Sequence, residues 1–145
     1  MGKLGFNSIW TNRTMECVKT VSYSLIINGK PFCSFTPSRG IRQGGPLSPY
    51  LFLLVVNVLS RSLQVGIQSG FILGIKLGRH CPILSHLLFV DDSLFFLKES
   101  VENCERMFKI IEEYCKASGR MVNKEKSCVV FTANVPEEHR KSIKI

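Results

Sequence analysis

Two adjacent aspartates, Asp91 and Asp92, stand between two of the most apolar runs in the chain, Leu87-Leu88-Phe89-Val90 and Leu94-Phe95-Phe96-Leu97. Burying neighbouring unpaired carboxylates costs far more than a local chain reversal that leaves them in water. The pattern therefore predicts an antiparallel hairpin in which the apolar runs pair and both acids sit at the tip. Asp is also an ordinary turn former, so the pair by itself marks only where the chain reverses. At an open rim, however, hard carboxylate oxygens suit magnesium, which keeps waters and accepts phosphate oxygens as further ligands.

A second constraint lies upstream, in Arg39-Gly40-Ile41-Arg42-Gln43-Gly44-Gly45-Pro46-Leu47-Ser48-Pro49. This density of Gly and Pro forbids a regular element. Its glycines let backbone approach a ligand, Arg39 and Arg42 suit phosphates, and Gln43 can hydrogen-bond a base or sugar. Read alone, the stretch is more simply a linker into a helix. That helix is expected from Ser48 as cap and Pro49 in the first turn, with Leu51, Phe52, Leu54, Val55, Val58, Leu59 and Leu63 on a wide buried stripe.

Elsewhere the period of the apolar residues changes twice. Residues 6–20 carry a weak helical pattern that could be two short pieces. Val21, Tyr23, Leu25 and Ile27 then alternate with smaller or outward positions up to Asn28-Gly29, and residues 31–35 follow, which predicts a β-hairpin. Strand-like runs are expected at 71–77, 83–90 and 93–97. Ser100 is placed to cap a helix with Val101, Cys104, Phe108, Ile111, Tyr114 and Cys115 on one face, ended by Gly119. A last strand is expected at 127–132, before a polar tail.

Composition narrows the class. With 145 residues and 45% hydrophobic content the chain is long enough for one packed core. Its formal charge of +8 favours a polyanionic partner, nucleic acid or acidic lipid. Six cysteines without a C-x-x-C pair read as reduced core thiols of an intracellular protein rather than a zinc site or a disulfide framework. The longest apolar run, Leu51 to Leu59, is broken by Asn57 and is shorter than the ~20 residues a bilayer span needs, so no membrane helix is expected. The first residues show no signal peptide or transit peptide pattern.

The ordered combination is more specific than any of its parts. Non-LTR (LINE-type) retrotransposon reverse transcriptases carry an R-G-x-R-Q-G-D-P-L-S-P-x-L-F loop and helix, then an F-x-D-D hairpin, then S-G-x-x-x-N-x-x-K-S. This chain resembles them over nearly its whole length, through Arg39 to Phe52, then Phe89-Val90-Asp91-Asp92, then Ser118-Gly119-Arg120-Met121-Val122-Asn123-Lys124-Glu125-Lys126-Ser127. The resemblance implies an α+β fold, part of a polymerase palm, in which a small antiparallel sheet has helices packed on one face. It implies an RNA-directed DNA polymerase using an RNA template, a DNA primer and Mg²⁺, with no membrane involved. Asp91 would hold catalytic metal with Asp92 beside it. Arg39, Arg42, Gln43, Gly44, Gly45 and Pro46 would meet the template and incoming nucleotide, and Lys126 would lie near the phosphates or, equally, be a solvated lysine.

Several departures qualify that expectation. Gly45 stands where the family has Asp, and Val90 replaces the commoner Ala. The family completes its metal pair with another aspartate on a strand before the glycine loop, where this chain has only Glu16 in a helical segment. Residues 1–145 therefore read as one partial reverse transcriptase domain cut at both ends, with Met1 an internal methionine of a longer frame, and inactive alone. A non-catalytic basic nucleic-acid-binding module, or a relic without function, are the other readings.

Overall fold

The computed structural model describes residues 1–38 and 40–143, so Arg39 lies outside the described residues. The chain divides into two compact units, Met1–Leu51 and Phe52–Ile145. In the first, a 3-10 turn at Gly2–Leu4 precedes α1 (Ser8–Lys19). Asn7 starts α1 by accepting the Ile9 amide at 2.8 Å, which satisfies one of the donors a helix N-terminus leaves open. Strands β1 (Tyr23–Ile27) and β2 (Lys30–Phe35) form the expected hairpin around Asn28 and Gly29. Both turn residues have positive φ, 50° and 76°, as a type I′ turn requires. A register shift between Ser24 and Leu25 introduces a bulge.

The second unit is built on α2 (Ser48–Gln68), which opens at the end of the first, and α3 (Val101–Ser118). Its core consists of Leu59 and Leu63 from α2, Ile72 from the following loop, and Met107 and Ile111 from α3. The strand-like runs expected at 71–77, 83–90 and 93–97 yield two further antiparallel pairs, each covering only part of its run. β3 (Ile75–Lys76) pairs with β4 (Ile83–Leu84), and β5 (His86–Phe89) pairs with β6 (Asp92–Phe95). Leu88 and Phe95 pack that last hairpin onto the helical core. The class is α+β, with its antiparallel strands in three separate pairs.

Leu63 is fully buried, and truncating it leaves a cavity between the two long helices. Leu63→Ala should lower stability by about 2–5 kcal/mol, read as an earlier urea midpoint at unchanged slope. A loss under about 0.5 kcal/mol would mean that this core does not hold the unit together.

Four expectations need correction. The buried face of α3 centres on Asn103, Met107 and Ile111, while Val101 and Phe108 are exposed. The cause is Asn103, whose amide donates to the carbonyls of Leu73 and Lys98 and accepts the Leu73 amide, all at 2.8 Å, so a polar side chain is drawn inside. Residues 127–132 form no strand, and a short helix α4 (Glu137–Ser142) follows. The thiols are all free, but only Cys104 and Cys115 are half-buried; Cys17, Cys33, Cys81 and Cys128 are exposed, so four are not core residues. Finally, α2 continues past Asn57 to 21 residues and is long and apolar enough to cross a bilayer on length and composition alone. Core helices meet the same test, and here Leu59 and Leu63 pack into the interior of the unit.

Candidate metal centre

The apolar runs do pair, in the register His86↔Phe95, Leu87↔Leu94, Leu88↔Ser93 and Phe89↔Asp92. The turn is displaced by one residue from its expected position. Val90 and Asp91 form the two-residue loop and Asp92 is the first residue of β6. Val90 has φ 51°, as the first loop position of a primed turn demands, although a β-branched residue is disfavoured there. Such local strain is held in place by the paired strands and the core contacts of Leu88 and Phe95.

The two carboxylates therefore have different surroundings. Asp92 is opposite Phe89, and directly opposed residues share a face of the ladder, so Asp92 belongs to the exposed face with Leu87, Phe89 and Leu94. Asp91 is 83% exposed at the tip, and its Oδ1 accepts from Arg120 Nη2 at 3.2 Å. Arg120 in turn lies over the Phe52 ring, 5.2 Å from its centroid. Among the described residues no three His, Cys, Asp or Glu side chains gather as a metal cluster. This donor set fits one hard cation that keeps waters or takes phosphate oxygens, and does not fit a pair of ions held by protein alone.

The glycine loop belongs to the first unit. Gly40 and Gly44 have φ of 86° and 74°, which side-chain-bearing residues rarely adopt. The Gly45 amide donates to the Arg42 carbonyl at 3.3 Å and the Ser48 amide to the Gly45 carbonyl at 3.1 Å. The Ser48 hydroxyl, expected as a helix cap, instead donates back to the Arg42 carbonyl. A Cβ at Gly45 would stand 3.0 Å from Ser48 Oγ and 3.3 Å from the Arg42 oxygen, so this fold-back fills the space where the family's Asp side chain would begin. A cleft of about 240 Å³ lies within this unit, lined by Val18, Tyr23, Ile41, Arg42, Gly45 and Pro46 among others. Gln43 and Gly44 do not line it. Lys126 ends a 3-10 turn, Lys124–Lys126, exposed, and makes no ion pair with Asp91 or Asp92 among the described residues.

At the root of the aspartate hairpin, His86 has Ser60 Oγ 2.9 Å from Nε2 and Ser85 Oγ 2.8 Å from Nδ1. Burial holds its pKa below the usual 6.5, so the folded chain prefers the neutral ring. The unfolded chain takes up the proton first as pH falls. The contribution of His86 to stability is therefore complete above about pH 6.5 and is lost as pH drops through the lower folded value. His86→Gln should flatten the slope of unfolding free energy between about pH 7.5 and 5, and an unaltered slope would assign it to other groups.

Reading residues in order pointed to Asp91, Asp92 and the loop, and passed over Arg120 as a partner of the acids. Its one signal was Gly119: with φ 71° it closes α3 and turns the next residue off the helix axis.

Comparison with known proteins identifies the family. The reverse transcriptase (RNA-dependent DNA polymerase) family profile matches residues 3–145. An uncharacterized mitochondrial protein of Arabidopsis thaliana is 50% identical over 68 residues, 47% of this chain and 56% of that protein. The retrovirus-related Pol polyprotein from type-1 retrotransposable element R2 of Nasonia vitripennis is 34% identical over 110 residues, 75% of this chain. Its counterpart from type-2 retrotransposable element R2DM of Drosophila melanogaster is 40% identical over 72 residues, 48% of this chain. The matches span 10% and 6% of those two polyproteins, so the chain corresponds to a small part of each. No solved structure matches significantly. The loop before α2, the aspartate hairpin and the family match over nearly every residue lead to one conclusion: the chain belongs to the reverse transcriptase family and represents part of its palm.

Proposed function

We propose that residues 1–145 are one partial reverse transcriptase domain of a non-LTR retrotransposon, contributing one side of a two-metal nucleotidyl-transfer site and needing a further carboxylate to copy RNA into DNA. The observation that carries this reading is the two-residue turn that lifts Asp91 clear of a strongly apolar strand pair, in a chain whose family polymerises nucleotides. Asp91 and Asp92 would hold Mg²⁺, which supplies Lewis-acid stabilisation of charge at the attacking and leaving oxygens. Arg39, Arg42 and Gln43 would position template and incoming nucleotide, with Gly44, Gly45 and Pro46 shaping the backbone beside them. Lys126 would meet phosphate. The partners are an RNA template and a DNA primer, without a membrane. Primer extension by the chain joined to an upstream segment bearing an aspartate strand tests the reading, with Asp91→Asn as control.

A further inference from the structure

Arg120 is held on the side of Asp91 by two independent features. Gly119, at φ 71° and ψ 10°, takes the chain off the end of α3, and the Arg120 amide approaches Ser118 Oγ at 3.4 Å. The guanidinium then rests on the half-buried Phe52 ring of α2, where its charge is attracted to the ring face. From that platform Nη2 reaches Asp91 Oδ1. The two ends of the pair are unequally fixed: the Arg120 side chain is 37% exposed and that of Asp91 83%.

An ion pair this open contributes little to stability, so fold support does not account for it. Its chemistry points elsewhere. The oxygen that accepts from Arg120 is one of the two that Asp91 could offer a hard cation. A divalent ion approaching Asp91 either takes Oδ1 from Arg120 or binds beside it through Oδ2, and in both cases it sits within a few ångströms of the guanidinium charge.

We infer that Arg120 is a built-in counter-ion that competes with the divalent cation for Asp91, a positioning residue that holds the carboxylate and weakens cation binding. The inference rests on the reading of Asp91 as a metal ligand. It gives Arg120 a role distinct from Lys126, which is not engaged with either acid among the described residues. Once displaced, the fork remains on Phe52 with its donors unpaired, a geometry suited to a phosphate oxygen.

The experiment is a Mn²⁺ titration of the full chain, followed by the EPR signal of the free ion, for wild type, Arg120→Gln, Arg120→Lys, Asp91→Asn and the Asp91→Asn/Arg120→Gln double variant. Arg120→Gln should tighten Mn²⁺ on the order of three- to tenfold, because a charge next to the ion and a rival for its ligand are both removed. Arg120→Lys, which keeps the charge and loses the fork, should fall between. Asp91→Asn should weaken binding and abolish the gain from Arg120→Gln. If Asp91→Asn weakens binding but Arg120→Gln leaves it unchanged or weaker, the counter-ion inference is wrong and the metal-site reading stands. If Asp91→Asn changes nothing in either background, the metal-site reading itself fails and takes the inference with it. Should Arg120→Gln not fold by circular dichroism, the wild-type chain decides: its Arg120 side-chain Nε–H resonance should move as Mg²⁺ saturates, and a resonance that stays still overturns the inference.

Discussion

Incubated with Mg²⁺, a primed RNA template and deoxynucleotides, the 145-residue chain should extend no primer above the level of its Asp91→Asn variant. Joined to an upstream segment that brings an aspartate strand beside the hairpin, it should extend, and Asp91→Asn should then abolish most of the activity. The reason is charge. Two adjacent divalent ions on two carboxylates are under-neutralised and under-coordinated, and no third acidic ligand lies with Asp91 and Asp92 among the described residues. In-line phosphoryl transfer depends on stabilising charge at both the attacking and the leaving oxygen, an effect of several kcal/mol and thus about a hundredfold or more in rate. Extension by the chain alone, lost in Asp91→Asn, would mean that another acid completes the site, with Glu16 the first to replace.

How much of this was legible in order along the chain follows from the range of the interaction involved. Both hairpins were readable because their signals are local: Asn28-Gly29 tolerates positive φ, and charge flanked by apolar runs can only turn outward. The tip was misplaced by one residue because local preference disfavours Val90 at positive φ, and only the pairing of Phe89 with Asp92 imposes it. The inner face of α3 was misread for a related reason. Apolar periodicity favoured Val101 and Phe108, whereas Asn103 is buried where it bonds the amide and carbonyl of Leu73, thirty residues away, and the nearby Lys98 carbonyl. The expected last strand lacked something periodicity never supplies, a neighbour to pair with. Arg120 was invisible because Phe52 and Asp91, which fix it, lie far from it in sequence.

Polyanion binding is the second large effect, and it separates binding from metal chemistry. Lys116, Arg120, Lys124 and Lys126 follow one another from the end of α3 into the 3-10 turn, and the lysines are exposed. If these four cations replace counter-ions on single-stranded RNA, affinity should fall about fiftyfold between roughly 50 and 200 mM salt, from a slope near −0.7 per phosphate contact. Converting Lys124 and Lys126 to Gln should halve that slope, and the loss should be uniform across sequences because phosphate contacts carry no base information. An Asp91→Ala/Asp92→Ala variant should bind RNA at least as well as wild type, since removing two negative charges from the hairpin only strengthens attraction to a polyanion. Filter binding over that salt range measures all three. A slope near zero, or one untouched by the lysine changes, would remove this basic segment from the path of the nucleic acid and leave Arg42 in the glycine loop as the next cation to test.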